Sequence, residues 1–233
     1  MNESTFILKD INQYLVFISQ VKNLSENTTK SYERDLRKLS AFIKELKISN
    51  YSDISPEICS AWIGNLYNQN NNPKSIQRHL SSAKGFFRFL KKNNLVDSSP
   101  FELITAPKSP NTLPEVLSPE NVEQLLNFKP ANLIEIRDLA IVELMYSSGL
   151  RVSETVNINL SDFEDNMSFL RVFGKGSKTR LVPLGRFAIN AIKNWLVERK
   201  KIVTKTEALF LNSKGTRLSV RSVQIRLKKM AVK

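Results

Sequence analysis

IRDLAIVELMYSSGLRVSE, residues 136–154, decides how the chain is read. A long apolar-rich helical run reaches Gly149, where glycine suits the left-handed residue that ends a helix. Arg151 follows at once, beside a new short helix from Val152, so its backbone is held rigidly. A guanidinium offers planar paired donors that match two oxygens of one phosphate, which suits Arg151 to phosphate clamping. It equally suits a structural arginine paired with Glu154 or capping the helix before it, and at this point both readings stand.

Downstream of this stretch, MSFLRVF and TRLVPL are β-rich runs flanking GKGSK (174–178), a hairpin signal with a glycine-bearing loop. Lys175 between two glycines can approach a ligand closely and donate a proton. The loop lacks Walker A spacing, so nucleotide binding is not supported. A helix from Arg186 to about Lys200, a short strand ALFLNS (208–213) and a helix from Ser219 to Met230 follow. Upstream, Ser118-Pro119-Glu120 opens a helix that is expected to continue into the quoted run.

The first hundred residues read as four helices, with Asn27 capping the second and Ser55-Pro56-Glu57 opening the third. In the second, Tyr32, Leu36, Leu39, Ile43 and Leu46 form an apolar stripe, with Lys30, Arg34, Arg37 and Lys44 on other faces. In the fourth, Ile76, Leu80, Ala83, Phe87 and Leu90 form the stripe, with Arg78, Ser81, Arg88 and Lys92 turned away. Two basic faces in one bundle suggest phosphate contact, against the plainer reading of solvated helix surface. SSPFELITAPKSPNTLP (98–114) carries four prolines and reads as an interdomain linker, its core at 108–114, between a domain over 1–107 and another over 115–233.

Lys and Arg number 35 against 22 Asp and Glu in 233 residues, a net charge of +13. From Arg171 to Lys233 there are 17 basic residues and 2 acidic ones. Such concentration points to a nucleic-acid partner. No run approaches the ~18 apolar residues of a membrane helix, and MNESTFILKD lacks a signal-peptide layout, so a cytoplasmic protein without membrane association is expected. Cys59 is the single cysteine and reads as a core residue; His79 is the single histidine and reads as an ordinary surface one. With one of each, His/Cys zinc clusters are excluded, as is Ser-His-Asp catalysis unless His79 serves it.

IRDLAIVELMYSSGLRVSETVNINLSDF, LRVFGKGSKTRLVPLG and ALFLNSKGTRLSVRSVQIRLKKMA, in this order behind a four-helix domain, resemble the tyrosine recombinase (lambda-integrase) family, of the XerC/XerD type. The resemblance spans essentially the whole chain. It implies a mainly α fold with a small β-sheet: an N-terminal four-helix SAM-like core-binding domain and an α+β catalytic domain. It implies an enzyme that cuts and rejoins DNA at a specific site through a 3′-phosphotyrosine link, without metal or other cofactor. Arg151 matches the family's first catalytic arginine, on the scissile phosphate, and Lys175 the hairpin lysine that protonates the leaving 5′ oxygen. Arg34, Arg78, Arg88, Lys178, Arg180, Arg217, Arg221, Gln224 and Arg226 are expected DNA contacts, the last four on or just before a helix docked in the major groove.

The implied partners are a double-stranded recombination site and a sister recombinase in a heterotetramer, and the implied role is chromosome-dimer resolution at cell division. The family's His-x-x-Arg motif is absent from the 233 residues, and all five tyrosines precede Arg151, so none matches the nucleophile. A C-terminally truncated, inactive catalytic domain is therefore expected, with Val220, Val223 and Leu227 lacking a helix to cover them. The alternatives are a non-catalytic DNA-binding regulator and a fragment of a phage or mobile-element integrase.

Overall fold

The computed structural model describes residues 5–105, 118–174 and 179–230, and the chain divides into two compact units, Met1–Leu113 and Pro114–Lys233. The first unit holds α1 (Thr5–Gln20), α2 (Glu26–Glu45), α3 (Pro56–Asn68) and α4 (Pro73–Lys92). Their starts follow from capping. Ser25 accepts from the Thr28 N–H, Ser55 from Ile58 and Asn72 from Lys74, and Pro56 and Pro73 occupy first-turn positions where no N–H is needed. The cap of α2 is thus Ser25 and not Asn27, which lies inside the helix.

The apolar stripes of α2 and α4 meet the faces of α1 and α3 in one core built from Leu36, Leu39, Ile43, Trp62, Ile76, Phe86, Phe87 and Leu90. Phe101, inside the proline-bearing segment, is fully buried there against Trp62 and Phe87, so the chain leaves this core only after that residue. Cys59 is buried, and burial pushes its thiol up to about 12, which keeps it protonated.

His79 is not a surface residue. It is almost fully buried, edge-on to Trp62, with Nδ1 at 3.3 Å from Asp35 Oδ1. Burial lowers its pKa below the usual value, so the ring is neutral at pH 7. The signal was in the spacing. His79 sits three residues after Ile76 and four before Ala83, on the apolar stripe itself.

The second unit begins with α5 (Pro119–Leu126) and α6 (Leu133–Ser148), two helices where one continuous helix was expected. Pro130 supplies no N–H to an α-ladder, and Asn132 caps α6 by accepting from the Glu135 N–H at 3.0 Å. Then come α7 (Val152–Asn157), β1 (Phe163–Glu164), β2 (Phe169–Phe173), β3 (Thr179–Pro183), α8 (Arg186–Arg199) and α9 (Val220–Met230). The strands form an antiparallel sheet in the order β1-β2-β3, with Phe173 opposite Thr179 at the hairpin end. Leu170 and Val172 point inward, alternating with exposed Phe169, Arg171 and Phe173.

ALFLNS is buried like a central strand, with Ala208 to Leu211 almost wholly inaccessible, but it is no member of the sheet. Trp195 donates to Leu209 O, Arg199 to Thr206 O and Ala208 O, and Arg137 to Leu211 O, so side chains satisfy carbonyls that a ladder would otherwise take. Only isolated bridges, Asn159 with Ala208 and Leu211 with Arg217, resemble pairing. Val223 is buried in the same core, with Val220 and Leu227 partly buried against it. Among the described residues no helix is long and apolar enough to cross a membrane.

Candidate active site and nucleic-acid interface

The junction of α6 and α7 is built by Gly149, whose φ of 59° and ψ of 28° turn the chain out of α6. Leu150 is then buried as an anchor, and Arg151 sits in extended conformation as the residue before α7. Its carbonyl accepts from the Thr155 N–H at 2.9 Å, and its own N–H donates to Glu154 Oε2 at 2.9 Å. Both backbone polar groups are therefore tied to α7. The side chain is not: Arg151 is 78% exposed there, and among the described residues its contact is NH1 to Glu154 Oε1 at 3.3 Å.

Glu154 is the organising group, with its side chain only 7% exposed. Arg180 on β3 grips it in a two-pronged pair at 3.0 and 3.0 Å. That bonding, with the Arg151 N–H and charge behind it, outweighs burial and holds the Glu154 carboxyl down at about 2. One carboxylate thus links the start of α7 to the hairpin strand that leads back to Lys175. Lys175 and Lys178 themselves lie outside the described residues.

The other expected DNA contacts divide by what their guanidinium groups already hold. Arg217 donates to Val156 O at 2.8 Å, to Ile158 O at 3.2 Å and to Asn159 Oδ1, so it braces the end of α7. Arg226 donates its Nε to the buried Asp138. Arg78 makes a planar pair with buried Asp35, both bonds at 2.8 Å, while remaining part-exposed. Arg180 is engaged by Glu154 yet 42% exposed. Arg34 and Arg88 are exposed and bond only locally, to Ser31 Oγ and Lys84 O. Arg221 and Gln224 are exposed on α9.

Residues 34, 78 and 88 belong to the first unit and 151, 180, 217, 221, 224 and 226 to the second. Asp35 and Asp138 were not anticipated. Asp35 stands beside an apolar stripe residue and pairs with Arg78 on another helix, and Asp138, within a buried run, pairs with its neighbour Arg137 and also with Arg226 on α9; no local pattern reveals the two distant partners.

Arginines backed by buried carboxylates and facing outward suit repeated contact with phosphate oxygens. Two family models match the chain: the phage integrase N-terminal SAM-like domain over residues 11–94 and the phage integrase family over residues 115–233. Tyrosine recombinase XerC of Shewanella amazonensis is 34% identical over 221 residues, covering 95% of this chain and 74% of the relative. Tyrosine recombinase XerD of Staphylococcus aureus is 36% identical over 227 residues, covering 96% and 77%. In fold, the XerH site-specific recombinase bound to a palindromic difH substrate superposes with a TM-score of 0.71 at 20% identity, covering 95% of this chain and 68% of that one. The chain belongs to the phage integrase family, the tyrosine recombinases, with XerC and XerD among its relatives.

Proposed function

We propose that the chain binds a short, partly symmetric duplex DNA site, with Arg151 on the scissile phosphate, Lys175 donating a proton to the leaving 5′ oxygen, and both units contacting the backbone. The observation that carries this is the Arg151 side chain, 78% exposed on a backbone locked at both polar groups. An exposed planar cation on a rigid mount stabilises the charge that develops on a five-coordinate phosphorus without reorganising. Lys175, between β2 and β3 in sequence, would neutralise the leaving oxygen as a general acid. The reaction exchanges one phosphodiester for another through a phosphotyrosine, so no hydrolysis or external energy enters.

Arg34, Arg78, Arg88, Lys178 and Arg180 supply phosphate contacts, and Arg221 and Gln224 on α9 face the groove. The expected setting is the cytoplasm, with a sister recombinase completing a heterotetramer in chromosome-dimer resolution. This rests on kinship with XerC and XerD and on the basic second unit.

Within the 233 residues no tyrosine follows Arg151 and no His-x-x-Arg occurs, so the first test concerns binding by these residues. The test is a nicked recombination-site duplex incubated with the 233-residue chain and resolved on a denaturing gel. Salt-sensitive binding without a covalent protein–DNA adduct is expected. An adduct would contradict the missing nucleophile, and loss of binding at low salt would contradict the clamp.

A further inference from the structure

Asp138 lies on α6 with its side chain 2% exposed, out of reach of any ligand. Its Oδ1 accepts from Nε and NH2 of Arg137 at 3.0 and 2.6 Å, and its Oδ2 accepts from Nε of Arg226 on α9. Arg137, itself buried, donates NH1 to Leu211 O at 2.9 Å. A line of directional bonds therefore runs from the buried 208–211 stretch, through α6, to α9.

The rest of the α9 seat is apolar: Val223 and Met230 are buried and Val220 and Leu227 are packed against the core. Apolar contact is non-directional, so it holds the helix down without fixing its rotation closely. A guanidinium-to-carboxylate bond does fix it. A turn of about 20° moves a side chain about 6 Å from the helix axis by about 2 Å, beyond what a hydrogen bond to a base edge tolerates.

We propose that Asp138 is a positioning residue for site recognition: through Arg226 it sets the rotation of α9, and with it which of Arg221 and Gln224 reach base edges. This rests on α9 as the helix that faces DNA. Because Asp138 touches no DNA and carries the wrong charge for it, its removal acts on sequence preference and not on general affinity.

The test uses the 233-residue chain, a duplex that the wild-type chain selects from a random pool, and a scrambled duplex of equal length, with affinities read by fluorescence anisotropy. D138N lowers the preference for the selected duplex about tenfold, the effect of one mismatched base pair, while the scrambled duplex binds no more weakly than to wild type. R226M follows D138N, and R226K, which keeps a cation within reach of Asp138, recovers most of what R226M loses. Should D138N fail to fold by circular dichroism, R226M at the part-exposed end of the pair carries the comparison.

A folded D138N or R226M with unchanged preference, or with both affinities weakened equally, overturns the proposal. The double variant R221A/Q224A separates the two ideas. If it leaves preference intact, α9 is not the reading helix and both fall; if it removes preference while D138N does not, Asp138 alone is misassigned. A pool that yields no enriched sequence also overturns both.

Discussion

Two junctions of the second unit each place an arginine just ahead of a helix, and they use it in opposite ways. At the α6–α7 junction the backbone of Arg151 is tied down and its guanidinium is left outside, 78% exposed with a 3.3 Å contact to Glu154. Ahead of α9, Arg217 gives its guanidinium to Val156 O, Ile158 O and Asn159 Oδ1, bracing the far end of the helix that Arg151 begins. Residue type and local setting are alike; the donors already engaged are not. The backbone of Arg151 is held by Glu154 and the Thr155 N–H, which leaves its guanidinium outside, whereas the guanidinium of Arg217 is itself the brace.

Truncating the bracing arginine gives the largest effect. R217A takes the guanidinium donor from Val156 O, while Ile158 O keeps the Leu209 N–H, and should lower stability by about 2–3 kcal/mol in urea unfolding of the chain. A loss under about 1 kcal/mol would mean that the two junctions do not differ as described. E154Q comes next, at about 1–2 kcal/mol near neutral pH, since Arg180 and Arg151 are part-exposed and water replaces some of the lost pairing.

Its pH dependence sharpens the assignment. The folded carboxyl lies at about 2, below its unfolded value, so its contribution is fully present above about pH 5 and is lost as pH falls toward 2. Wild type should therefore converge on E154Q in acid, and a gap that stays constant from pH 7 to pH 2 would place the stabilisation elsewhere. G149A forces a β-carbon into the left-handed region at φ 59° and should cost about 1 kcal/mol. R151A should change stability least, by under about 0.5 kcal/mol.

Much of this architecture is legible in the residues. The Ser-Pro starts, the stripes of α2 and α4, the Gly149 stop and the β2–β3 hairpin all follow from local stereochemistry, and local stereochemistry is what a sequence states directly. The readings that changed involve partners far along the chain. ALFLNS has the composition of a strand, yet Trp195, Arg199 and Arg137 supply the donors, at separations no short pattern encodes. His79 looked polar by its neighbours although its spacing placed it inside. Glu154 was visible as a partner for Arg151, whereas its stronger partner, Arg180, is 26 residues away. Arg217 and Arg226, expected as DNA contacts from the family resemblance, also hold acceptors on distant elements that no short pattern shows.

The most direct test of Arg151 as the exposed phosphate ligand is duplex-DNA affinity measured against salt concentration for wild type and R151A, with thermal unfolding in parallel. Weaker binding, a slope of log affinity against log salt shallower by about one, and an unchanged melting temperature are predicted. An unchanged slope and affinity, or a melting temperature that falls as it does for R217A, would contradict the account.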